Sequence, residues 1–280
     1  TPLPIEVIEE TTTNIDKRLD NRFLDVRRES IKAIFAVRSQ IYASTVAFFI
    51  KEGFFNIQSP KLTASGVESG AEEFKIPYFG KQAALAQSPQ VYKQMFVVGG
   101  FDKVFELGTV FRAEKSHTTR HLTEFTGIDF EMSCIENEHD IMDVIEKYMK
   151  YLISEIKTSK VKELELLKVE ISDVNKIPRL TMDEVKHWLK DTKGKILNVE
   201  DDLDSEAEKL LGELVKEKYG SDFVFVTEYP WSVRPFYHMK PEGKADKTKS
   251  FDLIFRGVEI STGAQREHRL EILEKQCEEK

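Results

Sequence analysis

The chain has 280 residues, 40% of them hydrophobic and 32% charged, with a formal net charge of -8. This fits a globular protein with a sizeable core, in one large domain or two ordinary ones. The acidic balance argues against a general nucleic-acid coat, which needs a basic surface, while leaving room for a local basic patch toward RNA.

No run approaches the roughly 18–20 uninterrupted apolar residues of a membrane span, so no membrane partner is expected. The most apolar stretch, Tyr42 to Ile50, is broken by Ser44 and Thr45. Thr1-Pro2-Leu3-Pro4 has no basic region leading into an apolar one, so no secretory signal is expected. The missing initiator Met points to a fragment or a processed product. Cys134 and Cys277 lie far apart, outside metal-ligand spacing, and indicate a reducing, cytoplasmic setting.

Residues 1–28 read as a linker or hinge, with Pro2, Pro4 and a charged stretch ending in Arg27-Arg28. From Glu29 to Glu52 apolar residues recur at spacings of three and four, which predicts a long helix stopped by Gly53. Phe54–Gln58 is a short strand halted by Pro60, and a helical segment is expected near Gln90–Phe96. Lys103–Arg112 and Thr123–Ser133 then form an antiparallel hairpin with a long polar loop, Lys115–Leu122. Ile128, Phe130 and Met132 share its core face; Phe125, Gly127, Asp129 and Glu131 share the other.

Residues 137–220 read as a mostly helical, Lys/Glu-rich insertion, interrupted at Pro178 and Gly194. Its acidic run Asp201–Glu208 is expected to be solvated. Phe223–Val226, Phe251–Phe255 and Val258–Ser261 are strands, the last two joined by Arg256-Gly257. Antiparallel pairs with helices grouped between them predict an α+β fold, an antiparallel sheet flanked by helices.

Two constellations carry chemistry. In the last hairpin a two-residue turn sets Ile254 opposite Glu259 and Asp252 opposite Ser261. Asp252 and Glu259 then share a face as diagonal neighbours about 7–8 Å apart. Two carboxylates among Phe, Leu and Ile repel unless something positive lies between them. Mg2+ holding polyphosphate oxygens fits; a solvent-facing edge hairpin would show the same pattern. In the earlier hairpin, Arg112 at a strand end is followed by Lys115, His117, Arg120 and His121. The planar guanidinium suits phosphate oxygens, and Phe125 could stack on a base; a surface ion-pair hairpin remains the alternative.

Phe111-Arg112-Ala113-Glu114, a loop, and then Arg120-His121-Leu122-Thr123-Glu124-Phe125 resemble the second signature motif of class II aminoacyl-tRNA synthetases. The long helix with Gly53-Phe54 and Pro60 resembles their first motif. Within the aspartyl/asparaginyl/lysyl subgroup the resemblance is to the aspartyl type of archaea and eukaryotes. It is carried by Ser65–Ala71, Leu85–Gln94, Arg234-Pro235-Phe236-Tyr237 and Glu259–Arg266.

The resemblance implies a catalytic domain over residues 29–280 that uses ATP and Mg2+ to activate L-aspartate and pass it to tRNA(Asp), with tRNA(Asn) left open. It also implies a homodimer formed through the first motif. Arg112 would bind the α-phosphate, Glu114 and Leu122 would flank the adenine, and Phe125 would stack on it. Arg120 and His121 would reach the distal phosphates. Glu259 and Thr262 would hold the principal Mg2+ and Asp252 a further one. Glu68 would read the ammonium of aspartate, with Gln90 nearby; Lys93, Asp129 and Arg266 would frame its side chain, with Thr262 among the aspartate contacts.

Two parts of the family pattern find no match: the anticodon-reading domain before the hinge, and the third motif after Arg266. Two other readings therefore stand beside the ligase. One is an AMP-forming asparagine synthetase that needs no tRNA; the other is a non-catalytic synthetase module.

Overall fold

The computed structural model describes residues 3–9, 12–64, 73–113 and 122–280. Glu68 and the Ser65–Ala71 segment lie outside the described residues, as do Glu114, Arg120 and His121. The chain divides into two compact units, one of residues 1–37 with 135–280 and one of Arg38–Cys134.

In chain order the elements begin with α1 (Ile15–Asp20), α2 (Arg22–Asp25) and α3 (Glu29–Lys51). They continue through β1 (Phe55–Asn56), β2 (Leu62–Thr63), β3 (Lys75–Tyr78), β4 (Lys81–Leu85), α4 (Gln90–Val98), β5 (Lys103–Phe111) and β6 (Glu124–Met132). The larger unit then adds α5 (Glu138–Ser159), α6 (Val161–Leu167), β7 (Arg179–Thr181), α7 (Met182–Lys193), α8 (Ser205–Tyr219), β8 (Phe223–Thr227), β9 (Ser250–Phe255), β10 (Val258–Ala264) and α9 (Leu270–Glu279). The segment expected to be a hinge thus carries two short helices. Their Asp25 is buried among Arg18, Arg22 and Arg28, whose pull, Arg18 foremost, holds its carboxyl below the ordinary value.

In the smaller unit β5 pairs with β6 through a nine-residue antiparallel register, from Lys103↔Met132 to Phe111↔Glu124. β1 joins β5 in parallel, a pairing that the sequence reading missed because it depends on contacts far along the chain. A second sheet has the order β2-β4-β3. The core is aromatic: Phe49 stacks on Phe105 at 5.0 Å and meets Phe54 and Phe130 at 5.0 and 5.3 Å. Each such ring pair adds about 0.5–1.5 kcal/mol beyond the area it buries.

By length and composition α3 is able to cross a membrane: it has 23 residues, and its most apolar stretch has a hydropathy of 1.4. The sequence reading counted only uninterrupted apolar runs and so passed it over. One side of α3 packs Phe48 and Phe49 inward, while Ile34, Phe35, Tyr42 and Ile50 are exposed.

In the larger unit the sheet order is β10-β9-β8-β7, with β7 parallel to β8 and the other pairs antiparallel. Val224, Val226 and Ile254 on one face of the sheet meet Met182, Val185 and Leu189 of α7 and Leu211, Leu214 and Val215 of α8. Capping boxes at Asn137 and Thr181 start α5 and α7, and Gly194 ends α7 in the left-handed region that glycine favours.

The expectation of a solvated acidic run holds at Asp204 and Glu206, which are exposed, and is corrected at its end, where Glu208 is buried; Asp204 also caps α8 by accepting from the Ala207 amide at 2.8 Å. The last hairpin is corrected as well. Its Arg256-Gly257 turn has positive φ at both residues, 49° and 76°, as the twist of a two-residue hairpin requires. Phe255↔Val258 and Ile254↔Glu259 pair as expected, but a bulge between Glu259 and Ser261 shifts the register. Asp252 therefore faces Thr262 and not Ser261.

Candidate active site

The smaller unit gathers its candidate functional side chains on one face of the β5–β6 ladder. Cross-strand pairs put Glu106 beside Asp129, Gly108 beside Gly127 and Val110 beside Phe125. Arg112 follows the end of β5 and is tied to the return strand by its amide, 2.9 Å from the Thr123 carbonyl. Its guanidinium lies 5.4 Å from the Phe125 ring centroid, and its buried Nε has no hydrogen-bond partner among the described residues. Leu122 is exposed nearby in sequence.

Helix α4 brings Gln90 and Lys93 to the same face. Lys93 is 2% exposed, a burial that an ammonium tolerates only when paired. It bonds Asp129 and lies 3.3 Å from Glu131, which also accepts from Gln90 Nε2 at 2.9 Å. Glu131, given no role by the sequence reading, is thus the third member of a Lys93–Asp129–Glu131 set. Its position on the Asp129 face by alternation was the available signal. Glu106 was missed too: it is buried and accepts from the Ser59 amide and hydroxyl at 3.1 and 3.0 Å and from Lys61.

The larger unit holds Asp252, Glu259, Thr262 and Arg266. In a regular strand, residues three apart point to opposite faces. The bulge cancels that alternation, so Glu259 and Thr262 both lie on the Asp252 face. Asp252 is buried beneath them, with Oδ1 lacking a hydrogen-bond partner among the described residues, while Glu259 and Thr262 reach solvent. Surrounding protein, and after it the Asp252 charge, push the Glu259 carboxyl up to about 7.

Arg234, noted in the sequence only as part of a motif, bonds Asp252 Oδ2 from Nη2 at 2.5 Å. Burial opposes its charge most, but Asp252, Tyr229 and Asp202 together outweigh burial and hold its proton more firmly than an ordinary guanidinium does. The donor set of carboxylates and one hydroxyl, with an orphaned carboxylate oxygen, fits Mg2+, which needs one or two carboxylates when substrate phosphates complete its shell. Among the described residues no group of three or more His, Cys, Asp or Glu side chains forms a self-sufficient metal cage.

Arg266 lies 4.8 Å from the Tyr237 ring centroid and its backbone bridges His238. His238 is buried with Nδ1 unpaired among the described residues; burial, then Arg234 and Arg266, push its imidazole down to about 3. Above pH 6.5 the ring is neutral folded or unfolded. As pH falls below 6.5 the unfolded chain takes a proton that the folded one refuses, so stability is lost until about pH 3. We expect His238→Met to recover roughly 2–3 kcal/mol of the stability that the parent loses between pH 6.5 and 4, read from urea unfolding across that range.

This fold is that of a class II aminoacyl-tRNA synthetase catalytic domain. The family model for class II tRNA synthetases (D, K and N) matches residues 14–280, and the chain belongs to that family. It is 46% identical to the aspartate–tRNA(Asp) ligase of Pyrococcus abyssi, over 100% of this chain and 64% of that protein. It is 43% identical to the aspartate–tRNA(Asp/Asn) ligase of Aeropyrum pernix, over 96% of this chain and 61% of that protein.

Among solved structures, the aspartyl-tRNA synthetase of Entamoeba histolytica superposes with a TM-score of 0.85 at 38% identity, covering 97% of this chain and 53% of that one. The Pyrococcus horikoshii asparaginyl-tRNA synthetase complexed with asparaginyl-adenylate gives a TM-score of 0.86 at 30% identity, covering 95% and 61%. The chain spans less than two thirds of the length of these relatives.

Proposed function

We propose that this chain is the core of an aspartate–tRNA ligase that makes aspartyl-adenylate from L-aspartate and ATP and transfers the aspartyl group to tRNA(Asp). The observation that carries this reading is the single face of the β5–β6 ladder. It presents Arg112 on Phe125 at one end and buried Lys93 between two carboxylates at the other. An oxygen of the aspartate α-carboxylate attacks the α-phosphorus of ATP in line, the bond to the bridging oxygen breaks, and pyrophosphate leaves with the electron pair. No protein nucleophile is required.

Arg112 neutralises charge on the α-phosphate as the fifth bond forms, and Phe125 provides a ring for the base. Mg2+ held by Glu259, Thr262 and Asp252 would draw charge from the phosphate oxygens. By the resemblance, Lys93, Asp129 and Arg266 would frame the aspartate side chain, and Glu68 would read its ammonium with Gln90 nearby. Glu114, Arg120, His121 and Leu122 complete the nucleotide contacts. Lys93 keeps Asp129 and Glu131 as partners whichever side chain enters, so the choice of aspartate over asparagine rests on the added attraction that a carboxylate, and not an amide, gains from the pocket's cations.

Exposed apolar residues along α3, among them Ile34, Tyr42 and Ile50, support a homodimer formed through that helix, and we take the enzyme to be cytoplasmic. Relatives named for tRNA(Asp) and for tRNA(Asp/Asn) both match, so tRNA(Asn) is a second candidate acceptor. Their names favour the ligase over asparagine synthetase and over a non-catalytic module.

Exchange of labelled pyrophosphate into ATP, with aspartate, asparagine and lysine supplied in parallel, tests the reading. We expect exchange with aspartate alone. Exchange driven by asparagine, or ammonia-dependent asparagine synthesis without tRNA, would overturn it.

A further inference from the structure

Asp252 already has a cation, and the protein supplies it. Arg234 Nη2 lies 2.5 Å from Asp252 Oδ2, and Nη1 lies 3.4 Å from the Thr262 hydroxyl. The guanidinium stacks 3.7 Å from the Tyr229 ring centroid, and the side chain is only 12% exposed. Its backbone is held as well, the Arg234 amide donating to the Trp231 carbonyl at 3.3 Å. Asp202 adds negative charge nearby from a loop that Lys186 pins through the carbonyls of Asn198, Val199 and Asp201 at 2.6–2.8 Å. Ring, chain and two polar partners fix the fork in one orientation, a role that the point charge of lysine would fill poorly.

From this geometry we propose that Arg234 is a positioning residue acting as the built-in cation of the Asp252–Thr262–Glu259 face, masking Asp252 from divalent ions until a polyphosphate arrives. The inference rests on the reading of that face as a Mg2+ site. Without Arg234, Asp252 and Glu259 would present up to two negative charges on one strand pair and would hold a divalent ion on their own. With it, the three side chains carry at most a net single negative charge, and one Asp252 oxygen is occupied. An ion then binds well only with phosphate oxygens beside it, and it enters and leaves with the nucleotide and pyrophosphate. This deepens the proposed function by naming what keeps the product complex from being trapped.

The test is Mn2+ binding without nucleotide, followed by electron paramagnetic resonance of the free ion and by thermal unfolding with and without Mn2+. We expect R234Q to bind Mn2+ about tenfold tighter or more than the parent, and to gain more in melting temperature when Mn2+ is added. R234Q/D252N should lose that gain. A structural arginine would instead give an R234Q of lower melting temperature and unchanged Mn2+ affinity, and that result overturns the proposal.

Glu259→Gln separates the two readings. If it abolishes the residual Mn2+ binding of the parent, the metal face stands whatever Arg234 does. If it changes nothing, the metal reading fails and takes the Arg234 proposal with it.

Discussion

Replacing Arg112 with alanine is expected to lower aspartate-dependent pyrophosphate exchange by about a thousandfold or more, with little change in thermal unfolding. The guanidinium is half-buried and, among the described residues, has no ion-pair partner and leaves Nε unused, so these residues draw little stability from its charge. Its contact with Phe125 at 5.4 Å is worth about 0.5–1 kcal/mol at such a site. In the proposed reaction the same charge would face the α-phosphate as negative charge builds on its oxygens, where a fixed donor contributes most. Arg112→Lys should recover only a small part of the rate, because an ammonium cannot span two phosphate oxygens as the fork does. Single-turnover adenylate formation checks this; near-normal exchange by a folded Arg112→Ala would remove Arg112 from the chemistry.

The second large effect is on stability. Gly257→Ala is expected to destabilise the protein by about 3 kcal/mol or more, for two reasons that add. Gly257 has φ of 76°, a conformation that alanine resists. A methyl there would also lie 2.6 Å from the Lys209 Cα and 3.0 Å from the Glu208 carbonyl, both backbone atoms of α8. From the other side, a methyl on Gly212 would lie 2.5 Å from the Gly257 amide nitrogen, so helix and turn are in direct backbone contact.

Neither side can give way easily. Arg256 is held by Asp222, which also accepts from Lys216 and the Ser172 amide; burial works against that carboxylate, but these donors keep it well below the usual range. Denaturant unfolding of Gly257→Ala and Gly212→Ala should show both losses, and Glu259, two residues beyond the turn, should shift with them. An unchanged midpoint would mean that the hairpin does not dock on α8 as described.

Much of this was legible in the sequence wherever the determining contacts are local. The periodicity of α3 and the alternation that puts Phe125, Asp129 and Glu131 on one face need only neighbouring residues. The two-residue turn Arg256-Gly257 likewise sets Ile254 against Glu259 without help from the rest of the chain. The family followed from motifs spread along the chain, and the match to residues 14–280 agrees with it. The roles given to Glu68, Glu114, Arg120 and His121 concern positions outside the described residues.

The parallel pairs β1–β5 and β7–β8 were not legible, because each joins strands separated by long stretches of chain and has no turn signature. Lys93 was identified as a cation, but its sharing between two carboxylates depends on how α4 packs on β6. The final hairpin divides most clearly. The sequence by itself determined that Asp252 and Glu259 share a face and that such a pair needs a positive charge. The tertiary structure decided that a bulge brings Thr262 opposite Asp252, and that part of the positive charge is Arg234. A bulge adds one residue without changing composition, and a counter-ion eighteen positions away is selected by packing alone, so neither leaves a periodic trace in the sequence.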